Sequence, residues 1–180
     1  MKRVVIGILS TPRDAEDVLS RLQLVGIPSS EVSVLLPDRE GSRDFAHEHS
    51  TKAPEGAIAG VATGGVIGGT LGLLAGIGAI AIPGVGPLIA AGPLMGALSG
   101  AAGGAAVGGV AGALIGFGIP EYEAKHYEGK IREGNVLVGV HVENAEARQR
   151  VLDVMNEAGA RDISVTSESS VPESHGKTGT

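Results

Sequence analysis

GAIAGVATGGVIGGTLGLLAGIGAIAIPGVGP at residues 56–87, continued by LIAAGPLMGALSGAAGGAAVGGVAGALIGFGIP at residues 88–120, is the stretch on which any reading of this chain turns. It contains no Asp, Glu, Lys, Arg or His. Gly recurs in it with a period of four. Gly56, Gly60, Gly64, Gly68, Gly72 and Gly76 form one ladder, and Gly92, Gly96, Gly100, Gly104, Gly108, Gly112 and Gly116 form a second. On a helix, residues four apart line one ridge, and a ridge of Gly lets another backbone come close. The pattern predicts an apolar helical hairpin: a helix over 56–82, a turn over 83–87 and a helix over 88–119. The thirteen ladder positions are the expected packing and oligomerisation surface.

Energetics make a partner obligatory for such helices. Each Gly costs about 0.8–1.0 kcal/mol relative to Ala inside a helix in water, so the two ladders together cost roughly 10 kcal/mol. Packing or lipid has to offset this. The first ladder, laid out as a helix, covers ~30 Å, which is the thickness of a bilayer's hydrocarbon core. Its Ile, Leu and Val residues favour insertion by roughly 3–6 kcal/mol. The second arm is poorer in large side chains and would span only when paired with the first. Lys52, Lys125, Lys130 and Arg132 flank the open ends of the hairpin, which by the positive-inside rule sets the polar parts in the cytoplasm. The expectation is a lipid-inserted hairpin with its polar parts on the cytoplasmic side, and a homo-oligomer held by the Gly ridges. The alternative is a cytoplasmic, self-assembling protein with the hairpins buried between subunits.

The polar flanks read as two halves of one small domain. Val4 to Leu9 is a β-branched run of the kind found in a strand buried on both faces. Thr11-Pro12-Arg13-Asp14 opens a helix, with a capping residue, Pro at the first helical position and an acid in the first turn. Ala15, Val18, Leu19 and Leu22 recur at helical spacing, and Val32 to Leu36 is a second strand. Downstream, Asn135 to Val142 is a strand and Asn144 caps a helix with Val151, Leu152 and Met155 inward. Asp162 to Thr166 is a last strand. Two β-α-β halves predict an α+β, ferredoxin-like βαββαβ sandwich with two helices on one face, interrupted between strands two and three by the hairpin. The divisions are 1–55 for the first half and a polar loop, 56–119 for the hairpin, 120–166 for a charged helix and the second half, and 167–180 for a disordered polar tail. In the charged helix, Glu121/Lys125 and Glu128/Arg132 have favourable i,i+4 spacing.

Candidate chemistry is sparse. The chain has 180 residues, net charge −6 and no Cys, with Gly at 30 positions. Absence of Cys removes disulfides and thiolate ligands, and the acidic balance argues against nucleic acid as a partner. His47-Glu48-His49 reads as a solvated loop rather than a metal site, since two His at i,i+2 converge only from an extended segment. His126 is expected on the surface, and His141 on a strand facing solvent or a partner. Gly64-Gly65 and Gly68-Gly69 lack the strand context and Lys-Ser/Thr ending of a phosphate loop. No catalytic, cofactor or metal-ligating residue is assigned, and the chain reads as non-enzymatic. A domain that senses a small molecule and signals to membrane helices is a third class, with its ligand unknown.

Several junction motifs are more particular than composition. Phe45-Ala46-His47-Glu48-His49, Thr51-Lys52-Ala53-Pro54-Glu55-Gly56, Ile82-Pro83-Gly84-Val85-Gly86-Pro87 and Gly118-Ile119-Pro120-Glu121-Tyr122-Glu123-Ala124-Lys125 resemble those of the bacterial general stress protein 17M-like family, whose members are often called low-temperature-induced proteins. The resemblance covers nearly the whole chain. It implies a stress-associated bacterial protein with a structural or regulatory role. The split plan is also similar in architecture to a membrane subunit of the bacterial quinol-oxidising alternative complex III, and fold alone transfers no function.

Overall fold

The computed structural model describes residues 3–37, 78–82, 85–94 and 104–167. The first arm of the expected hairpin as far as Ile77, the loop carrying His47 and His49, and the tail beyond Ser167 lie outside the described residues. Strand β1 (Arg3–Leu9) leads into helix α1 (Pro12–Leu24), a 3-10 turn at Ser29–Glu31 and strand β2 (Val32–Pro37). Strands β3 (Gly78–Ile82) and β4 (Gly86–Ala91) follow, then helix α2 (Gly104–Gly116) and helix α3 (Glu121–Arg132). Strand β5 (Val136–Val142), helix α4 (Ala145–Glu157) and strand β6 (Arg161–Ser167) complete the order. All six strands join one antiparallel sheet in the order β3-β4-β2-β5-β1-β6.

The flanking halves form from the local signals in their sequence. Thr11 and Asp14 make a reciprocal capping box at α1: the Asp14 N–H donates to Thr11 Oγ1 at 3.2 Å, and the Thr11 N–H donates to Asp14 Oδ2 at 3.1 Å. Asn144 caps α4 by accepting from the Ala147 N–H at 2.7 Å. Ala15, Val18, Leu19 and Leu22 of α1 are buried with Val151, Val154 and Met155 of α4. They cover the sheet face that carries Val5, Leu9, Val34, Val138 and Val140.

The opposite face is also covered, which differs from the expected arrangement of helices on one side only. Val4, Ile6, Ile8, Leu35, Leu88 and Leu137 pack under Val110, Ala113 and Leu114 of α2 and under Ala124, Tyr127 and Ile131 of α3. The reason is visible in β1 and β5. β1 carries Val5 and Leu9 on one face and Val4, Ile6 and Ile8 on the other, and β5 adds Leu137 to the second, so either face left open would expose a band of Val, Ile and Leu. The charged helix supplies part of the cover because its apolar residues recur at 124, 127 and 131. Its two expected ion pairs form, Lys125 Nζ to Glu121 Oε1 at 2.6 Å and Arg132 Nη2 to Glu128 Oε1 at 2.9 Å.

The expected helical hairpin needs correction on both sides of its turn, while Gly104–Gly116 lies in a helix as expected. Gly78–Ile82 and Gly86–Ala91 are paired strands and not the end and start of two helices. The turn between them falls where the Pro and Gly residues place it, but it joins the other kind of element. Alternation decides this. Gly78-Ala79-Ile80-Ala81-Ile82 repeats small and large residues with period two, which is a strand pattern. The four-residue ladder also lapses here, at Ile80 and Leu88, and those two residues are register partners across β3 and β4. Further on, α2 has 13 residues and is broken at Gly109, whose φ of 60° and ψ of −153° only Gly adopts readily. An unbroken helix of that length would reach only ~20 Å. Among the described residues no helix is long and apolar enough to cross a membrane.

Candidate functional site

The region where the Gly-rich stretch meets the sheet holds the residues with candidate roles. Of the thirteen ladder positions, Gly56, Gly60, Gly64, Gly68, Gly72, Gly76, Gly96 and Gly100 lie outside the described residues. The remaining five do not form one ridge. Gly92 ends β4 in the left-handed region, with φ of 78°. A Cβ built on it would stand 2.1 Å from the Val32 carbonyl oxygen. Here Gly is required by contact with a neighbouring backbone. Gly104, Gly108 and Gly112 lie along α2. Gly116 closes that helix with open space where its Cβ would be, so close packing does not account for it.

The break at Gly109 has a specific partner. A helix that restarts beyond a kink presents N–H groups without intrahelical acceptors. The Ala111 N–H donates to Glu128 Oε2 at 2.8 Å, while Arg132 Nη2 donates to the other carboxylate oxygen at 2.9 Å. Glu128 thus fastens the Gly-rich helix to α3, and a carboxylate in that position is also favoured by the helix dipole. The i,i+4 spacing to Arg132 is legible in the sequence. The bond to Ala111 is not, because nothing in the spacing reveals a break at Gly109.

A second fastening joins α3 to the edge strand β6. The Tyr127 hydroxyl donates to the Asp162 carbonyl at 2.7 Å, and the Ser164 hydroxyl donates to Glu123 Oε2 at 2.7 Å. His126 Nε2 lies 3.0 Å from Asp162 Oδ2 on the surface, as expected for that helix. Asp162 has φ of 53°, and the pairing of β1 with β6 shifts register between Ile6 and Ile8. Burial pushes the Tyr127 hydroxyl up to about 12. Proton-transfer chemistry near neutrality is not what such a group supplies. Lys125, paired with Glu121, is held above its ordinary value by that bond, and Glu121 is held below its own by Lys125.

His141 departs from the expectation of solvent or partner contact. It is 9% exposed, and its ring lies 5.7 Å from that of Phe117 at the end of α2. Beside it, Val4, Ile6, Ser33, Leu94 and Phe117 line an apolar cavity of about 20 Å³. That is room for one water and not for a metabolite. The Ser33 hydroxyl oxygen accepts from the Leu94 N–H at 3.1 Å, holding the chain just beyond Gly92 against β2. Among the described residues, no group of three or more His, Asp and Glu side chains is placed to hold a metal ion.

The arrangement joins structural elements to one another. Comparison with protein-family models, with curated proteins and with solved structures gives no match for this chain.

Proposed function

We propose that this chain is a non-catalytic, self-associating protein. In this reading a ferredoxin-like βαββαβ core, made of β1-α1-β2 and β5-α4-β6, carries a Gly-rich insertion as its association element. The neighbour order β2-β5-β1-β6 supports the core, since it is the order of that fold's four strands. One observation carries the functional reading. The second half of the insertion is committed to contacts within its own chain, β4 beside β2 and α2 fastened to α3 through Glu128, which leaves the uncharged Gly56 to Gly76 ladder to meet a partner.

Strand pairing weighs against a lipid-spanning hairpin. β2 and β4 are neighbours and β3 lies next to β4, so the chain leaves and re-enters the sheet at nearby places. The uncharged run before Gly78, taken as a helix, extends ~33 Å, enough for one crossing of a ~30 Å core and not for the return. The Gly56 to Gly76 ladder is then a packing surface for a second copy. The resemblance to stress-associated bacterial proteins supplies the setting, a structural or regulatory role under stress.

The test is the native mass of the full chain in detergent-free buffer, by sedimentation or light scattering. Assembly is expected, and substituting Gly64 and Gly68 with Leu should disrupt it. A monomer at all concentrations overturns the reading. Recovery of the protein only from carbonate-washed membranes with detergent would restore the lipid-inserted alternative.

A further inference from the structure

The two edges of the sheet are built differently. β6 is guarded by Arg161 and Asp162 at its start, a left-handed residue and a register shift, all of which discourage another strand from pairing with it. β3, with the sequence Gly-Ala-Ile-Ala-Ile, carries no charge and no Pro, and its register with β4 is unbroken. Among the described residues its only strand neighbour is β4.

The phase of hydrogen bonding on β3 follows from two prolines. Pro37 of β2 is opposite Leu88, and Pro87 of β4 is opposite Ala81. Proline has no N–H, so each is compatible with the antiparallel pair that exchanges no hydrogen bonds. The two assignments agree independently. If Leu88 exchanges none with Pro37, its N–H and C=O turn toward β3 and bond Ile80, which leaves Ala81 unbonded to Pro87. By the same alternation Ala79 is unbonded to Ile89. Ala79 and Ala81 therefore direct their N–H and C=O groups to the outer edge.

We propose that β3 pairs with β3 of a second copy, antiparallel about a two-fold axis at Ile80. That axis sets Ala79 opposite Ala81 of the other copy and Ala81 opposite its Ala79. All four outward N–H groups and carbonyls on the two strands are then satisfied, and the two sheets become one of twelve strands across the pair. The contact is isologous, as closed dimers require. It rests on the self-association reading and adds to the Gly ladder a second contact, one that joins copies in pairs. A second copy is the occupant because it presents this same uncharged edge in the same register, so that both strands of the pair satisfy their outward groups at once.

The experiment uses the full chain, which has no native Cys. In a non-bonded antiparallel pair, residues on the axis lie with Cα atoms ~4.5 Å apart, within disulfide reach. Ile80→Cys is expected to oxidise to a covalent dimer, whereas Ala79→Cys and the exposed Leu24→Cys do not. Ala81→Pro removes an outward N–H and no bond to β4, so it should abolish the dimer, with an unfolding midpoint equal to that of the wild type diluted until it dissociates. A wild-type assembly in which Ile80→Cys fails to cross-link and Ala81→Pro still associates overturns the edge pairing and returns association to the Gly ladders. A wild-type protein that is monomeric at every concentration overturns the parent reading instead.

Discussion

Replacing Glu128 with Ala should release the Gly-rich helix from the sheet while leaving the rest of the molecule folded. The carboxylate holds two partners, the Ala111 N–H at 2.8 Å and Arg132 Nη2 at 2.9 Å. Its side chain is 17% exposed, and that of Arg132 is 50% exposed. A hydrogen bond to a charged acceptor contributes about 1.5–3 kcal/mol. The half-exposed i,i+4 ion pair adds only about 0.3–0.5 kcal/mol. Ala is a slightly better helix former than Glu, which offsets a few tenths. The net loss is thus about 1.5–3 kcal/mol, and it falls on the packing of α2 against α3. Local opening is read by amide hydrogen exchange, in which about 1.4 kcal/mol is a tenfold change in protection. Protection of Ala111 to Leu114 should drop roughly 10- to 100-fold, with the amides of β1 and β5 unchanged. Glu128→Gln keeps a neutral acceptor at the same reach and should lose less. Arg132→Ala should lose only a few tenths of a kcal/mol. Protection of α2 within twofold of wild type in Glu128→Ala, or equal damage from Arg132→Ala, would refute the reasoning.

Three further predictions separate the roles of individual residues. Gly92→Ala should destabilise the protein by about 3 kcal/mol or more, measured by denaturant unfolding, because both the left-handed backbone and the Val32 carbonyl at 2.1 Å oppose a Cβ. Gly116→Ala belongs to the same ladder yet meets open space, and should raise the thermal midpoint through a helix-propensity gain of at most about 1 kcal/mol. Tyr127 is buried with its hydroxyl pushed up to about 12, above the ordinary value of 10.0. Its contribution is complete below pH 10 and lost as pH rises toward 12, by about 1.4 kcal/mol per unit between folded and unfolded values. Tyr127→Phe should cost about 1 kcal/mol at neutral pH and flatten that alkaline decline, in titrations of the unfolding midpoint; an unchanged slope from pH 9 to 12 would rule out the assignment.

The polar flanks were legible because each element carries its own punctuation. Thr11, Pro12 and Asp14 specify the start of α1 without reference to anything distant, and Asn144 does the same for α4. The second face of the sheet was legible in principle. Ile6, Ile8 and Leu137 sit where a one-sided sandwich would leave them in water, and the apolar side of α3 answers them. Within the Gly-rich stretch, Gly78 to Ala91 departs from the helical expectation for a physical reason. A spacing of four residues lines one ridge of a helix, but it is also an even number, so on a strand the same residues fall on one face. Period alone cannot choose between the two; the lapses in the period can. Ile80 and Leu88 stand where Gly would continue the ladder, and they pair in the β-hairpin.

The break at Gly109 and its bond to Glu128 were beyond the sequence, because a carboxylate spaced for Arg132 accounts for itself without a second partner. That dual use bears on association. Glu128 holds α2 against α3 and so keeps that cover of the sheet closed, while the contact proposed at β3 is made by backbone groups. If so, loosening the cover with Glu128→Ala and blocking the edge with Ala81→Pro act on different contacts, and their effects should be separable. The first should lower protection in α2 while the Ile80→Cys cross-link still forms. The second should abolish the dimer with α2 protection intact. Loss of the cross-link on Glu128→Ala would mean that the cover and the edge are one cooperative unit, and that the sheet pairs with a second copy only while α2 is clasped.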